Sequence, residues 1–194
     1  MMTDQLKEIV YARDSIEFVT VAVQYCAYLE NFEKITQEDI TDKLTKILPL
    51  LYLKASLVPE TDNVNDEEPE VTVTEGDYAY ISGKLYEVFG KDDAYLEVFM
   101  QDMKYSETPI GASISEDLAD IYQDLKNFIT IYERGITENM NDALYVCTEN
   151  FKIYWGQKLV NVLRALHSLK YSSITDIDEL DADDPQLTNT DDLW

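Results

Sequence analysis

The sequence is poor in the residues on which many enzymes depend. It has one histidine, His167, and two cysteines, Cys26 and Cys147. A single histidine excludes metal sites built from several histidines, and the cysteines have no metal-binding or redox spacing. No glycine-rich phosphate loop and no G-x-S-x-G motif occurs. We interpret His167 as a structural or surface residue, so carboxylates are the main catalytic candidates that remain.

Glycine and proline are also scarce, with six and five residues. A chain with so few turn-forming residues favours long helices. Its 45% hydrophobic content and mean hydropathy of −0.28 are typical of a soluble globular protein. A chain of this length buries on the order of 70% of its unfolded surface, so we expect one folded domain.

Long apolar runs are missing as well. No stretch approaches the roughly 20 apolar residues that span a membrane, and residues 1–14 lack the apolar region of a signal peptide. We therefore expect a cytoplasmic protein that does not bind membranes. Cys26 and Cys147 fall within helical patterns and are expected to be buried, reduced thiols.

Basic residues are few, with 15 Lys and Arg against 39 Asp and Glu, and the net charge is −24. Residues 60–77 and residues 171–194 each contain eight acids and no base. Nucleic acid binding is disfavoured because no basic patch neutralises phosphates. Since most of the excess charge lies on two segments expected to be flexible, a rigid DNA mimic is also disfavoured. A protein partner with a basic surface would suit these segments.

The most apolar stretch is LPLLYLKASLVP at residues 48–59, which predicts the second half of a helix over residues 36–58. Thr36 followed by Asp39 has the spacing of an N-terminal cap. Pro49 predicts a kink or a break within the helix. Because the stretch has almost no polar face, we expect a central helix that other helices cover on nearly all sides.

Apolar residues that recur every three or four positions predict the other helices. These cover residues 3–32, 74–90, 113–135 and 138–170, with a shorter helix after Asp92 or Asp93 and an ordered loop over residues 100–112. Thr74 with Asp77 and Ser113 with Glu116 have the spacing of N-terminal caps. Gly156 interrupts the last long helix, where it permits close packing or a bend. The sum is an all-α, single-domain bundle of five to seven helices over residues 1–170. An acidic linker at about residues 59–74 and an acidic, mobile tail over residues 171–194 complete the chain.

Three carboxylates are candidates for a metal site. Asp117, Asp120 and Asp124 lie along one face of a predicted helix. Oxygen ligands of this kind suit Mg²⁺ or Mn²⁺, and all-helical nucleotide pyrophosphatases use carboxylates at such spacings. The second set of paired carboxylates that such enzymes use is not evident. A solvated helix face is therefore the alternative interpretation.

Lys54, Leu193 and Trp194 are candidates for partner binding. Lys54 lies in a nearly all-apolar helix, so it must reach solvent, pair with a carboxylate or take part in binding. Leu193 and Trp194 follow two aspartates and could dock into a partner's groove, although a solubilising tail is the simpler interpretation. The fourteen tyrosines indicate an aromatic core or a cleft lined with hydroxyl groups.

Three segments resemble a known family. They are EFVTVAVQYCAYLEN at residues 17–31, LPLLYLKASLVPE at residues 48–60 and ASISEDLADIYQDLKNF at residues 112–128. These packing segments are similar to those of bacterial proteins called domain of unknown function 5063. The resemblance implies a bacterial, cytoplasmic, all-helical protein and carries over no site residues.

Two functional hypotheses follow from the sequence. The first is a non-enzymatic protein-interaction or regulatory module without a cofactor. The alternative is a Mg- or Mn-dependent hydrolase of a small phosphorylated ligand that uses the helix carboxylates. Missing catalytic motifs favour the first hypothesis.

Overall fold

The computed structural model describes residues 2–96 and 111–181, and the side chains of residues 6–96 and 111–171. Within these ranges the chain forms seven α-helices and two short strands. In chain order they are α1 (Met2–Val10), α2 (Arg13–Asn31), α3 (Gln37–Ser56), α4 (Glu75–Phe89), β1 (Ala94–Leu96), β2 (Gly111–Ser113), α5 (Ile114–Tyr132), α6 (Thr137–Asn150) and α7 (Gly156–Asp181). The predicted all-α bundle of five to seven helices is confirmed.

Helix α5 lies at the centre of the bundle and packs against α2, α4, α6 and α7. Its core residues Leu118, Ile121 and Leu125 are fully buried. The predicted cap is confirmed, since Ser113 Oγ accepts a hydrogen bond from the Glu116 backbone N–H. The central position predicted for the helix that contains residues 48–59 is wrong, because α3 packs mainly against α2 and α7.

The single helix predicted near the N-terminus is two helices, α1 and α2. Ala12 separates them, with a ψ of 148° that no helix contains. Side chains satisfy the carbonyl groups at the break. The Ser15 hydroxyl donates to the Ile9 carbonyl at 2.7 Å, and the Tyr132 hydroxyl donates to the Val10 carbonyl. These partners replace helical backbone bonds at the Ile9 and Val10 carbonyl groups.

Helix α3 begins where the sequence predicts. The Thr36 hydroxyl accepts a hydrogen bond from the Asp39 backbone N–H at 3.1 Å. Pro49 lies inside the helix and does not end it, and the helix continues to Ser56. The prediction of a helix break at Pro49 is therefore wrong, and α3 tolerates one missing backbone hydrogen bond there.

Burial of α3 is one-sided. Leu48 and Leu51 are fully buried against the bundle. Leu50, Leu53 and Leu57 are instead about half exposed. The prediction of a helix covered on nearly all sides is wrong, because no described element packs on the outer face of α3.

Helix α4 has a capping box in which Thr74 and Asp77 exchange hydrogen bonds, as predicted. Gly90 ends it at a φ of 51°, a conformation that glycine adopts without strain. The short helix predicted after Asp92 or Asp93 is wrong. A 3₁₀ turn is followed by β1, which pairs antiparallel with β2. Strand β2 replaces the end of the predicted loop, and the rest of that loop, residues 100–110, lies outside the described residues. The Asp93 carboxylate accepts a hydrogen bond from the Ser115 backbone N–H at 2.8 Å and so caps α5.

The long helix predicted for residues 138–170 is interrupted. A π-helical turn, Phe151–Trp155, joins α6 to α7. A Cβ on Gly156 would lie 2.3 Å from the Phe151 carbonyl oxygen, so only glycine fits there. Trp155 is fully buried, and its Nε1 donates to the Cys147 carbonyl at 2.9 Å. The predicted close packing at Gly156 is confirmed.

The acidic linker is attached to the bundle. Two carboxylate oxygens of Asp142, on α6, accept hydrogen bonds from the backbone N–H groups of Val64 and Asn65 at 2.8 and 2.9 Å. The Asn127 side chain, on α5, accepts hydrogen bonds from the N–H groups of residues 72 and 73. We call residues 57–74 the acidic strap. Because Asp142 is 2% exposed, a buried carboxylate helps to hold the strap, in addition to the half-buried Asn127 and the exposed Glu70–Arg134 pair.

Both cysteines are buried and unpaired, which agrees with the prediction for Cys26 and Cys147. Burial raises the pKa of the Cys26 thiol well above its usual range. Among the described helices, none is long and apolar enough to cross a bilayer.

Candidate functional site

Two of the three predicted carboxylates converge on a lysine. Lys158, near the start of α7, places its Nζ 2.7 Å from Asp117 Oδ1 and 2.9 Å from Asp120 Oδ2. Only 4% of the Asp117 side chain is exposed, against 23% for Lys158. The ammonium group therefore lies between the two carboxylates and neutralises part of their charge in a half-buried environment.

Three tyrosines complete this arrangement, which we call the Lys158 cluster. Tyr78 from α4 and Tyr154 from the π-helical turn each donate a hydrogen bond to Asp120 at 3.0 Å. Tyr95 from β1 donates to Asp117. The cluster thus joins α4, β1, α5 and α7 through hydroxyl groups and the two ion pairs of Lys158. Its three tyrosines fit the predicted cleft lined with hydroxyl groups. Within the cluster, however, the two carboxylates bind Lys158 of the same chain.

The electrostatics of the cluster keep Lys158 charged and Tyr78 and Tyr154 protonated near neutral pH. Burial and the neighbouring Asp120 carboxylate raise the pKa of Tyr154 to about 12 and that of Tyr78 further. Burial acts to lower the pKa of Lys158, but hydrogen bonds to Asp117 and Asp120 outweigh it and raise this pKa above its usual value. Protonated tyrosines and a charged lysine are poor bases and poor nucleophiles near neutral pH.

Asp124 does not join the other two carboxylates. Its Oδ1 accepts a hydrogen bond from the Asn150 side chain at 2.6 Å, and burial raises its pKa. Among the described residues, no three His, Cys, Asp or Glu side chains come close enough together to hold a metal ion. The residues Asp117, Asp120 and Asp124 therefore share a helix face but serve separate contacts.

Lys54 pairs with a carboxylate from α2. Its Nζ lies 2.5 Å from Glu17 Oε2, and the two side chains are 22% and 30% exposed. Glu17 also accepts a hydrogen bond from Arg13 at 2.8 Å, one turn earlier in α2. Hydrogen bonds from Lys54 and Arg13 lower the pKa of Glu17. Of the alternatives left open for Lys54, pairing with a carboxylate near the surface is the one observed.

An exposed apolar stripe runs along α3 beside this pair. Leu50, Leu53 and Leu57 are 44%, 50% and 47% exposed. Their spacing of three and four residues places them on one helix face. We call these residues the leucine stripe. Three half-exposed leucines in one row form an apolar surface on a chain of net charge −24.

A groove of about 790 Å³ lies between α3 and α7 beside the leucine stripe. We call it the α3–α7 groove. Its lining is Thr45, Lys46, Pro49, Val160, Leu163, Arg164, His167, Ser168, Lys170 and Tyr171. Three of these side chains carry a positive charge at neutral pH and none is acidic. In a chain of net charge −24 this groove is a locally basic surface.

Two of the groove's cations are paired and one is not. Asp42 accepts hydrogen bonds from Lys46 at 2.6 Å and from Lys170 at 2.9 Å, and these bonds lower its pKa to about 2. Arg164 is exposed and makes no ion pair with another described residue. His167, also exposed, packs its ring against that of Tyr171, with centroids 4.7 Å apart and an angle of 55° between the ring planes. The groove therefore keeps net positive charge after its internal pairs are counted.

Sequence reasoning missed Lys158 and the α3–α7 groove. Lys158 lies on a helix with a regular apolar face, and helical spacing does not identify its carboxylate partners 38 and 41 residues away. The groove was not evident because its cations come from two helices that are separate in the sequence. The other predicted partner-binding residues, Leu193 and Trp194, lie outside the described residues.

The comparisons with known proteins agree with the fold. The chain is similar to protein BF1032 from Bacteroides fragilis, whose crystal structure superposes with a TM-score of 0.75 at 45% sequence identity. The similarity covers 84% of this chain and 96% of the other. A search of the curated proteins found no match.

The family assignment follows from a model that matches most of the chain. The match extends over residues 10–172 and so includes α2 to α6, the acidic strap, the Lys158 cluster and the α3–α7 groove. It leaves out residues 173–194, which form most of the acidic tail. The chain belongs to the family described as domain of unknown function DUF5063.

Proposed function

We propose that this protein is a non-enzymatic interaction module. Its binding surface is the leucine stripe together with the α3–α7 groove, and its partner is an acidic protein segment with apolar side chains at helical spacing. The observation that carries the proposal is an exposed apolar row beside a basic groove on a chain of net charge −24.

The two surfaces are continuous along α3. Lys46 lines the groove, Leu50 and Leu53 follow it on the same face of α3, and Leu57 lies directly after the end of the helix. An amphipathic helix can place its apolar side chains on such a row while its acidic side chains face the groove. A partner helix of this kind would lie beside α3 and near the exposed Arg164 of α7.

The expected energetics suit a reversible contact. Each leucine of the stripe is already about half buried, so covering the remainder contributes roughly 1 kcal/mol per side chain. Charge attraction to the groove should speed association and orient the partner more than it raises the affinity. Because these charges are exposed, we expect binding to weaken as salt concentration rises.

The interior of the molecule favours this proposal over the hydrolase alternative. A Mg- or Mn-dependent enzyme would need Asp117 and Asp120 free to bind a cation, but Lys158 already occupies the space between their oxygens. Calorimetric titration of the protein with Mg²⁺ or Mn²⁺ tests the alternative. We expect no heat of binding at millimolar metal, and saturable binding that Asp120→Asn abolishes would support the hydrolase.

A defined peptide tests the proposed surface. The probe is a fluorescent acidic peptide with leucines at helical spacing, titrated with the full chain and followed by anisotropy. Its companions replace the leucines by serine or the acids by lysine. We expect the acidic, leucine-containing peptide to bind and both companions to bind at least about tenfold more weakly.

Surface variants locate the binding site. Leu53→Ser and Arg164→Glu should each weaken binding of the probe at least about fivefold. Val71→Ser and Lys7→Glu are matched controls, because these exposed side chains lie outside the surface, and they should leave binding unchanged. Equal losses in the controls, or tighter binding of the lysine-containing peptide, would contradict the proposal.

Photo-crosslinking at the same surface can capture a natural partner. A photo-crosslinking residue at Leu53 of the full chain should capture a protein whose crosslinked segment is acidic and contains apolar side chains. The same residue at Tyr86, which is 59% exposed on α4, is the control. A crosslinked segment that is basic would instead favour a partner for the acidic strap.

A further inference from the structure

The geometry points to an occupant of the α3–α7 groove within the chain itself: residues 182–194, ADDPQLTNTDDLW. We infer that this segment binds the groove in the same molecule and competes with the partner. The inference rests on the proposed function, since it assigns a regulator to that same surface.

The chemistry of the segment matches that of the groove. It has four acidic residues, Asp183, Asp184, Asp191 and Asp192, and no base. Its apolar side chains are Leu187, Leu193 and Trp194. The groove supplies the complementary lining of three cations with Pro49, Val160 and Leu163. The segment thus has the composition that the proposed partner needs, in the same chain.

The segment is long enough to reach the groove. The described part of α7 extends to Asp181, and the groove lies beside the part of α7 from Val160 to Tyr171. At about 1.5 Å per residue, the distance along α7 from Asp181 back to Val160 is roughly 32 Å. Thirteen extended residues span up to about 43 Å. The segment can therefore cover the whole groove without help from a second molecule.

Attachment to α7 makes a weak contact effective. A tethered segment meets its site at an effective concentration on the order of millimolar, which a free partner rarely reaches. Even a modest affinity then keeps the groove occupied for much of the time. A partner must displace the segment, so its apparent affinity is lowered by the occupied fraction.

Tryptophan fluorescence of the full chain tests whether the segment binds. The chain has two tryptophans, and Trp155 is fully buried, so a soluble quencher reports mainly on Trp194. Arg164→Glu should release the segment and raise the quenching constant about twofold, as should added salt. Lys7→Glu changes the net charge equally outside the groove and should leave quenching unchanged. Equal quenching in the wild type and in Arg164→Glu would overturn the inference.

Protein concentration distinguishes the two ways of filling the groove. Binding within one molecule makes the quenching constant independent of concentration, whereas exchange of segments between two copies makes it fall as concentration rises. A concentration-dependent constant together with a dimeric mass in solution would overturn the intramolecular inference.

The acidic peptide probe separates this inference from the proposed function. In the full chain with Asp183, Asp184, Asp191 and Asp192 all changed to Asn, the segment should no longer compete. The probe should then bind about tenfold more tightly than to the wild type. If the probe binds both proteins with equal affinity, and Arg164→Glu still weakens its binding, the inference alone would be overturned. Failure of the probe to bind either protein would overturn the proposed function, whatever the quenching shows.

Discussion

The Lys158 cluster and the α3–α7 groove contain the same kinds of side chain in different surroundings. Both contain lysine and tyrosine, and in each an aspartate pairs with lysine. In the cluster, Asp117 is 4% exposed and its charge is matched by Lys158. Beside the groove, outside its lining, Asp42 is 49% exposed and binds Lys46 and Lys170 near solvent. Burial fixes the contacts of the cluster, whereas the groove remains accessible to a partner.

The comparison implies a division of roles between the two regions. Removing a buried charge partner leaves the other charge without compensation, so the cost appears as lost stability. Exposed charges contribute little to stability but determine the rate and the orientation of binding. Variants of the inner region should therefore change unfolding, and variants of the outer surface should change partner binding.

The largest difference in stability is expected between substitutions on the buried side and on the exposed side of α3. Leu51→Ala removes a fully buried side chain and should lower the free energy of unfolding by about 2–5 kcal/mol. Leu53→Ala is its matched control, because Leu53 is 50% exposed, and should cost less than about 1 kcal/mol. Urea denaturation measures both. A large loss at Leu53 would show that another element covers the stripe.

Within the polar regions, Lys158→Met should have the greater effect. It leaves Asp117 buried without its cation and should cost about 3 kcal/mol. Lys170→Met alters a groove lysine of similar exposure, whose partner Asp42 can still bind Lys46 and water, and should change unfolding far less. Thermal and urea unfolding compare the two variants. Equal losses would mean that the groove is as closely packed as the cluster.

A substitution at Asp142 tests whether the acidic strap depends on a buried contact for its stability. Asp142→Ala removes the acceptor for the backbone N–H groups of Val64 and Asn65 and should cost about 2 kcal/mol. It should also speed hydrogen exchange at those two amides. Glu67→Ala is the control, because Glu67 is exposed on the same strap. Amide exchange that stays slow in Asp142→Ala would show that other contacts hold the strap.

The smallest effect concerns alkaline pH. The pKa of Tyr154 in the folded protein, about 12, is above its unfolded value of about 10. Its hydrogen bond to Asp120 therefore contributes fully below about pH 10 and is lost as pH rises through 12. Tyr154→Phe should be about 0.5 kcal/mol less stable than the wild type near neutral pH. That difference should shrink toward pH 12, and a constant difference would contradict this account.

Local signals in the sequence predicted local structure well. The caps at Thr36, Thr74 and Ser113 were predicted because a cap depends on residues only three positions apart. Gly156 was also identified, since an isolated glycine in a helical pattern indicates close packing. The break at Ala12 was not predictable, because the groups that stabilise it include Tyr132, which lies far away in the sequence.

The sequence by itself determined a helical bundle, its caps, its buried cysteines and its concentrated negative charge. Helical periodicity showed which residues share a face, and this follows from the fixed rotation between successive residues. Only the tertiary structure decided which faces have neighbours. It buried Asp117 with Lys158, paired Lys54 with Glu17, and left Leu50, Leu53 and Leu57 exposed beside a basic groove. Those outcomes depend on how the helices pack, which no single helix encodes.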